Sequence, residues 1–224
     1  MLRPKKKITK KEIQRDPFLE SVDQAQAHLE ENRSNYLKAG LVVLVLLISY
    51  NVTSSKRSQS GIDASSSLGE ALLTLDRKDM TTAQFQLETV LNDYENTPSA
   101  SFAEYYLGKI SYDAGNMEEA APYLNSYFNS NPEGFLAPSA AIMLSDMAGK
   151  NGQLEDAIQI LDRGMKYDHS KKDIRLLNLR KAQVELKQGN KDNAKEIVEK
   201  LLSDDQLTNW NKQIAQEIMG KIIS

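Results

Sequence analysis

The sequence contains no cysteine, two histidines and one tryptophan. Without cysteine there is no disulfide, no thiolate metal site and no thiol nucleophile, and an oxidising compartment is compatible with that composition. The histidines, His28 and His169, stand far apart. The run Asp168-His169-Ser170 sets three catalytic residue types side by side. Neighbours on one loop cannot converge as a nucleophile and its base must, so the run reads as a polar loop. No glycine-rich phosphate loop and no metal-ligand spacing occurs. The net charge of −3 argues against bulk nucleic-acid binding, which needs clustered cations facing phosphate. The acidic pairs Glu118-Glu119 and Asp204-Asp205 fit solvated helix starts and loops. β-branched runs are scarce outside one segment, so the fold class is all-α. The chain offers surface; its residues imply no cofactor, no small-molecule substrate and no recognisable reaction.

Long apolar runs are also missing, with one exception. Residues 39–50 read AGLVVLVLLISY, apolar on every side. Leu, Val and Ile fill residues 41–48 without a break, and on an insertion scale they favour entry into a bilayer by about 4 kcal/mol. The run falls short of the roughly 20 residues of a span. Extended to Tyr36, Leu37 and Val52 it covers about 25 Å as a helix, with Lys38 able to snorkel. Tyr36 and Tyr50, with Lys38, Lys56 and Arg57, suit interfacial anchors. We read residues 36–53 as a single transmembrane signal anchor. Residues 1–35 precede it as a basic tail carrying Arg3, Lys5, Lys6, Lys7, Lys10, Lys11 and Arg15 against the single early acid Glu12. Asp16-Pro17 then opens an amphipathic helix with Phe18, Val22, Ala25, Leu29 and Tyr36 on one face. The positive-inside rule keeps this tail cytoplasmic and sends the rest across the membrane. Residues 54–67, rich in serine, read as a flexible linker. The sequon Asn51-Val52-Thr53 would lie against the bilayer.

The remainder is periodic. Residues 101–132 show two helical patterns split at Gly115-Asn116, with Gly108 on the first, Ala120 on the second, and Pro132 as a stop. Ala83, Ala120, Ala157 and Ala194 recur at a constant step of 37 residues, Ala120 to Ala157 for example. The same step links Ala71, Gly108, Ser145 and Ala182; Lys78, Gly115, Gly152 and Gly189; Leu87, Leu124, Leu161 and Val198; and Leu73, Ile110, Met147 and Val184. A fixed period of this size marks a solenoid in which each helix pair buries its apolar face against its neighbours. The competing interpretation is a helical bundle with chance similarity; five column types sharing one step over four copies favour the repeat. Asp79, Asn116 and Asn190 sit where second-helix N-caps belong. The expected organisation is repeats over residues 68–202 and a capping helix over residues 203–224, with Trp210, Ile214, Ile218 and Ile222 at four-residue steps facing the last repeat. On this reading Trp210 is a core residue.

Leu107, Gly108, Gly115, Ala120 and Pro132 resemble the tetratricopeptide repeat in register, with a step about three residues longer than usual. The order of parts, from basic tail through anchor and linker to repeats and cap, resembles bacterial membrane-anchored tetratricopeptide proteins of the ancillary Sec-translocon subunit family. That resemblance implies a non-enzymatic adaptor at the bacterial inner membrane, its repeat domain periplasmic. The implied partners are Sec translocon subunits, a periplasmic chaperone and exported chains. An envelope scaffold for cell division, secretion or lipoprotein assembly would use the same fold, and a cryptic enzyme is a third class. In the repeat family the first helix of each pair carries the contacts. This register implies a protein-binding groove formed by Tyr105, Lys109, Tyr112, Asp146, Lys150, Gln183 and Lys187. The alternative for Tyr105 and Tyr112 is packing between neighbouring repeats.

Overall fold

A computed structural model of the chain describes residues 33–223; between residues 33 and 58 it describes the side chains of Lys38, Leu41, Val42, Val43 and Leu44. The chain divides into two compact units, Met1–Ser58 and Gln59–Ser224. In the first unit the backbone is helical from Arg33 onward. Leu41, Val42, Val43 and Leu44 are each more than half exposed. Four consecutive helical positions point to every side, so these four side chains are exposed all round the helix. Among the described residues no helix is long and apolar enough to cross a membrane. Apart from those five side chains, the span expected over residues 36–53 lies outside the side chains described. Residues 1–32, with the basic run and most of the amphipathic helix from Phe18, lie outside the described residues.

In the second unit every described element is a helix. Helix α1, Arg33–Asp76, supplies the first helix of the first repeat with its last three turns. Then come α2 (Met80–Asp93), α3 (Pro98–Asp113), α4 (Met117–Ser130), α5 (Ala137–Lys150), α6 (Leu154–Gly164), α7 (Lys171–Gln188), α8 (Lys191–Leu202) and α9 (Asn209–Ile223). They form four helix pairs and a cap, as the period predicts. Residues 59–67 differ from the expected linker, because they are helical. Ala64, Leu68 and Ala71 already form a buried stripe. The Ser65 hydroxyl donates to the Gly61 carbonyl at 2.8 Å, folding the serine side chain back onto its own helix.

Each first helix ends in the same way. Gly115, Gly152 and Gly189 have φ of 84°, 79° and 91°, and Lys78 takes 65° at the equivalent position of the first copy. The residue after each returns its N–H to the chain five residues back: Asp79 to Thr74, Asn116 to Ser111, Gln153 to Ala148 and Asn190 to Glu185, at 2.8–3.3 Å. This left-handed C-cap satisfies the terminal carbonyls and aims the chain into the second helix. Asp79 caps that helix with its carboxylate, accepting from the Thr82 N–H at 3.2 Å. Asn116 and Asn190 hold the N-cap position without a side-chain capping bond. Helix α4 stops at Ser130, just before Pro132.

The alanine column and the Leu87, Leu124, Leu161, Val198 column are fully buried in all four copies. Gly108 packs against Leu124: a Cβ on Gly108 would lie 2.7 Å from Leu124 Cγ and 3.1 Å from its backbone nitrogen. Burial of the Leu73, Ile110, Met147, Val184 column grows along the chain, from 61% exposure at Leu73 to 6% at Met147. The core is segmental. One cluster joins Leu68 and Ala71 to Leu87, Val90, Ala103 and Leu107. A second, around Tyr127, Phe128, Leu144 and Leu161, fills the middle repeats. A third seats Leu207, Ala215 and Ile218 against Leu179, Ala182, Val198 and Leu201. Helix α9 therefore caps the last repeat. Trp210, however, is 69% exposed and not a core residue. The buried face of α9 runs through Asn211, Ala215 and Ile218, and Trp210 lies about 100° away from Asn211 around the helix.

Candidate functional site

Successive first helices are tied side by side by polar contacts. These contacts link residues 34 apart, about one turn short of the repeat step. The Tyr105 hydroxyl donates to Ser139 Oγ at 2.8 Å, and the Tyr112 hydroxyl donates to Asp146 Oδ2 at 2.8 Å. Arg180 donates from its guanidinium to the same Asp146 oxygen and to Gln183 Oε1 at 2.7 Å. Tyr112, Asp146 and Arg180 thus form one chain across α3, α5 and α7.

The residues expected in a groove fall into two groups. Tyr105 is only 3% exposed, edge-on to Tyr106 and Tyr127, with ring centroids at 5.2 and 5.4 Å. Burial pushes its phenol pKa up, against the lowering effect of the Ser139 bond. It packs one repeat on the next and presents no surface to a partner. The other six lie along one face of the first helices. Lys109 is paired with Asp113 at 2.5 Å. Lys150 Nζ sits 5.5 Å from the centre of the Tyr112 ring. Lys187 Nζ donates to the Gly149 carbonyl at 2.6 Å. Burial first, then the bond to Asp146, raises the Tyr112 phenol to about 12, so it donates to Asp146 at any physiological pH.

Two hollows open on this face. One, of ≈ 580 Å³, is bounded by Leu75, Met80, Tyr106, Lys109, Ile110 and Asp113. The other, of ≈ 310 Å³, is bounded by Gly149, Leu154, Arg180, Gln183, Val184 and Lys187, with Asp146 and Lys150 on its rim. Leu75, Met80, Tyr106, Gly149, Leu154 and Arg180 had no part in the sequence-based groove. The period alone does not mark them as lining; it only relates the lining of one hollow to that of the other, two steps on. The geometry suits reversible, non-covalent binding of side chains from an extended polypeptide. The loop Asp168-His169-Ser170 serves the fold, since Ser170 Oγ caps α7 by accepting from the Asp173 N–H at 3.2 Å. Glu118 and Glu119 lie in the first turn of α4, as expected. Asp204 is engaged by Arg175, whose guanidinium holds its pKa below the usual carboxylate range.

Comparison with known proteins agrees with this architecture. A solved tetratricopeptide repeat protein from Parabacteroides merdae superposes with a TM-score of 0.58 at 13% identity, covering 71% of this chain. This chain spans 61% of that protein's length. Nearly identical TPR-like repeats of a kinesin light chain-like protein from Podosopora anserina superpose with a TM-score of 0.50 at 15% identity, covering 70% of this chain and 92% of that one. At these identities the likeness is one of fold. No curated protein matches the chain. The profile of the tetratricopeptide repeat-like domain matches residues 26–196, and with more than half its length in that match the chain belongs to the tetratricopeptide repeat-like domain family.

Proposed function

We propose that this protein is a non-enzymatic, membrane-anchored adaptor that holds extended segments of partner proteins on the first-helix face of its repeats. The observation that carries the proposal is the row of polar and charged side chains from Lys109 to Lys187, interrupted by two open hollows at equivalent places in the repeat. Repeat folds use such surfaces to bind other chains. The anchor rests on the apolar run of residues 39–50 and the basic tail before it, and the exposure of Leu41 to Leu44 on all sides is consistent with lipid around them. The resemblance in order of parts to the ancillary Sec-translocon subunit family supports a periplasmic repeat domain. On that reading it works with translocon subunits, a periplasmic chaperone and exported chains.

A photocrosslinking amino acid at Gln183 of the full-length chain, on the groove face, should yield protein adducts in membranes. The same probe at exposed Gln159 on α6 should yield far fewer. Equal yields from both positions would remove the groove from the proposal. Mass spectrometry of the adducts separates the two adaptor roles: translocon subunits and exported chains support the Sec assignment, whereas cell-division or lipoprotein-assembly subunits support an envelope scaffold. Protease added to the outer face of the inner membrane should degrade residues 68–224 and spare the tail. A protected repeat domain would reverse the orientation.

A further inference from the structure

The two hollows are the same place in the repeat. Leu75 and Gly149, Met80 and Leu154, Tyr106 and Arg180, Lys109 and Gln183, Ile110 and Val184, and Asp113 and Lys187 are each two repeat steps apart. The intervening copy of the site has Tyr112 where the others have Leu75 and Gly149. There an aromatic ring stands in place of Leu75 and Gly149, held by its bond to Asp146 and with Lys150 beside it. The row therefore has an open apolar site, a copy carrying Tyr112, and an open cationic site.

Gly149 leaves the second opening free of a side chain. It lies in helical backbone without a positive φ, and a Cβ built on it meets nothing within 4 Å. Helix geometry and packing give no reason for glycine here, whereas Gly108 is required by the contact with Leu124. Charge also differs along the row. The last turn of the first helix carries Asp76 and Asp113 in the first two repeats, then Lys150 and Lys187 in the next two. Around the Gly149 hollow, Arg180 is the cation matched to Asp146. Among the described residues no carboxylate pairs with Lys150 or Lys187. This patch is positive on a chain whose net charge is −3.

Deepening the adaptor proposal, on which it rests, we infer that the groove recognises an extended segment with two features: an apolar side chain seated between Leu75, Met80 and Ile110, and an acidic side chain seated over Gly149 between Lys150 and Lys187. The two sites are two first-helix spacings apart, about 20 Å, which an extended chain covers in about six residues.

The probe is a fluorescein-labelled Gly-Ser peptide with one leucine and one glutamate, their separation varied from two to ten residues, titrated with the purified full-length chain. Binding should be tightest at a separation near six residues. It should weaken about tenfold or more when glutamate becomes glutamine or when Lys187→Glu reverses the cation, and it should weaken at high salt. Gly149→Tyr, which copies the ring at Tyr112, should abolish the preference for glutamate over glutamine; Lys150→Glu supplies the same readout if that variant fails to fold. Equal affinity for glutamate and glutamine peptides, or no dependence on separation, would overturn the inference and leave the adaptor reading to the crosslinks at Gln183. Absence of binding by every peptide would overturn it as well.

Discussion

At the residue scale, two glycines on equivalent first helices should respond oppositely to the same change. Gly108→Ala drives a Cβ to 2.7 Å from Leu124 Cγ and 3.1 Å from backbone, which cannot move freely. The overpacking should cost about 1–3 kcal/mol. Gly149→Ala meets open space on a helix and should stabilise the fold by about 0.5–1 kcal/mol. Chemical denaturation of both variants checks the pair, and two losses of equal size would contradict the geometry. Ala120→Leu belongs with Gly108: it enlarges a fully buried side chain and should also cost about 1–3 kcal/mol. Glu118→Ala, exposed in the first turn of α4, should cost well under 1 kcal/mol. Tyr105 ranks with the core. Its replacement by alanine should cost about 3 kcal/mol and so cannot report on binding alone.

Sequence columns identify these residues because equivalence and contact are different relations. The step of 37 residues finds the turn glycines, and Lys78 with them, since each must adopt the same left-handed backbone. It finds the alanine and leucine columns because each pair repeats the same interior. Side-by-side contacts between first helices run at 34 residues, as from Tyr112 to Asp146 and from Asp146 to Arg180. A column lists equivalent positions and is silent on which neighbour each one touches. For that reason register alone puts Tyr105 in the groove and gives no sign that Arg180 holds the row together. Trp210 is misplaced for a related reason. The stripes 210, 214, 218, 222 and 211, 215, 218, 222 share their last two members, and only packing against Leu201 and Leu207 selects the second.

At the element scale, the tie between α3, α5 and α7 should be visible in alkali. The folded-state pKa of Tyr112 stands at about 12, above its ordinary value of 10.0, because burial and the bond to Asp146 favour the neutral phenol. Its contribution to stability is complete below pH 10 and is lost as the pH rises toward 12. Burial raises Tyr105 and Tyr127 as well, so they share in the decline. The melting temperature should therefore fall between pH 10 and pH 12 in the native chain. Tyr112→Phe should melt lower at neutral pH, where Asp146 has lost a donor, and should fall less steeply over the alkaline interval. Parallel curves for the two proteins would mean that Tyr112 makes no separate contribution.

At the scale of the whole repeat domain, the core is a series of clusters, each joining neighbouring helix pairs. Stability in such a fold is close to a sum of repeat and interface terms, so damage should stay local. Helix α9 closes the series by covering Leu179, Val198 and Leu201 with Ala215 and Ile218. Arg175 reaches Asp204 with two hydrogen bonds, at 2.7 and 3.1 Å, and fixes the loop leading into it. Ile218→Asp would bury a carboxylate against this apolar face, and α9 should detach before the charge is desolvated. Hydrogen exchange followed by mass spectrometry should then show lost protection in α8 and α9, with α3 to α6 near their native values. The exposed face of the last repeat should make the variant self-associate at concentrations where the native chain does not. Uniform loss of protection from α2 to α9 would show a domain that unfolds as one cooperative unit, and the segmental interpretation of the three clusters would have to be abandoned.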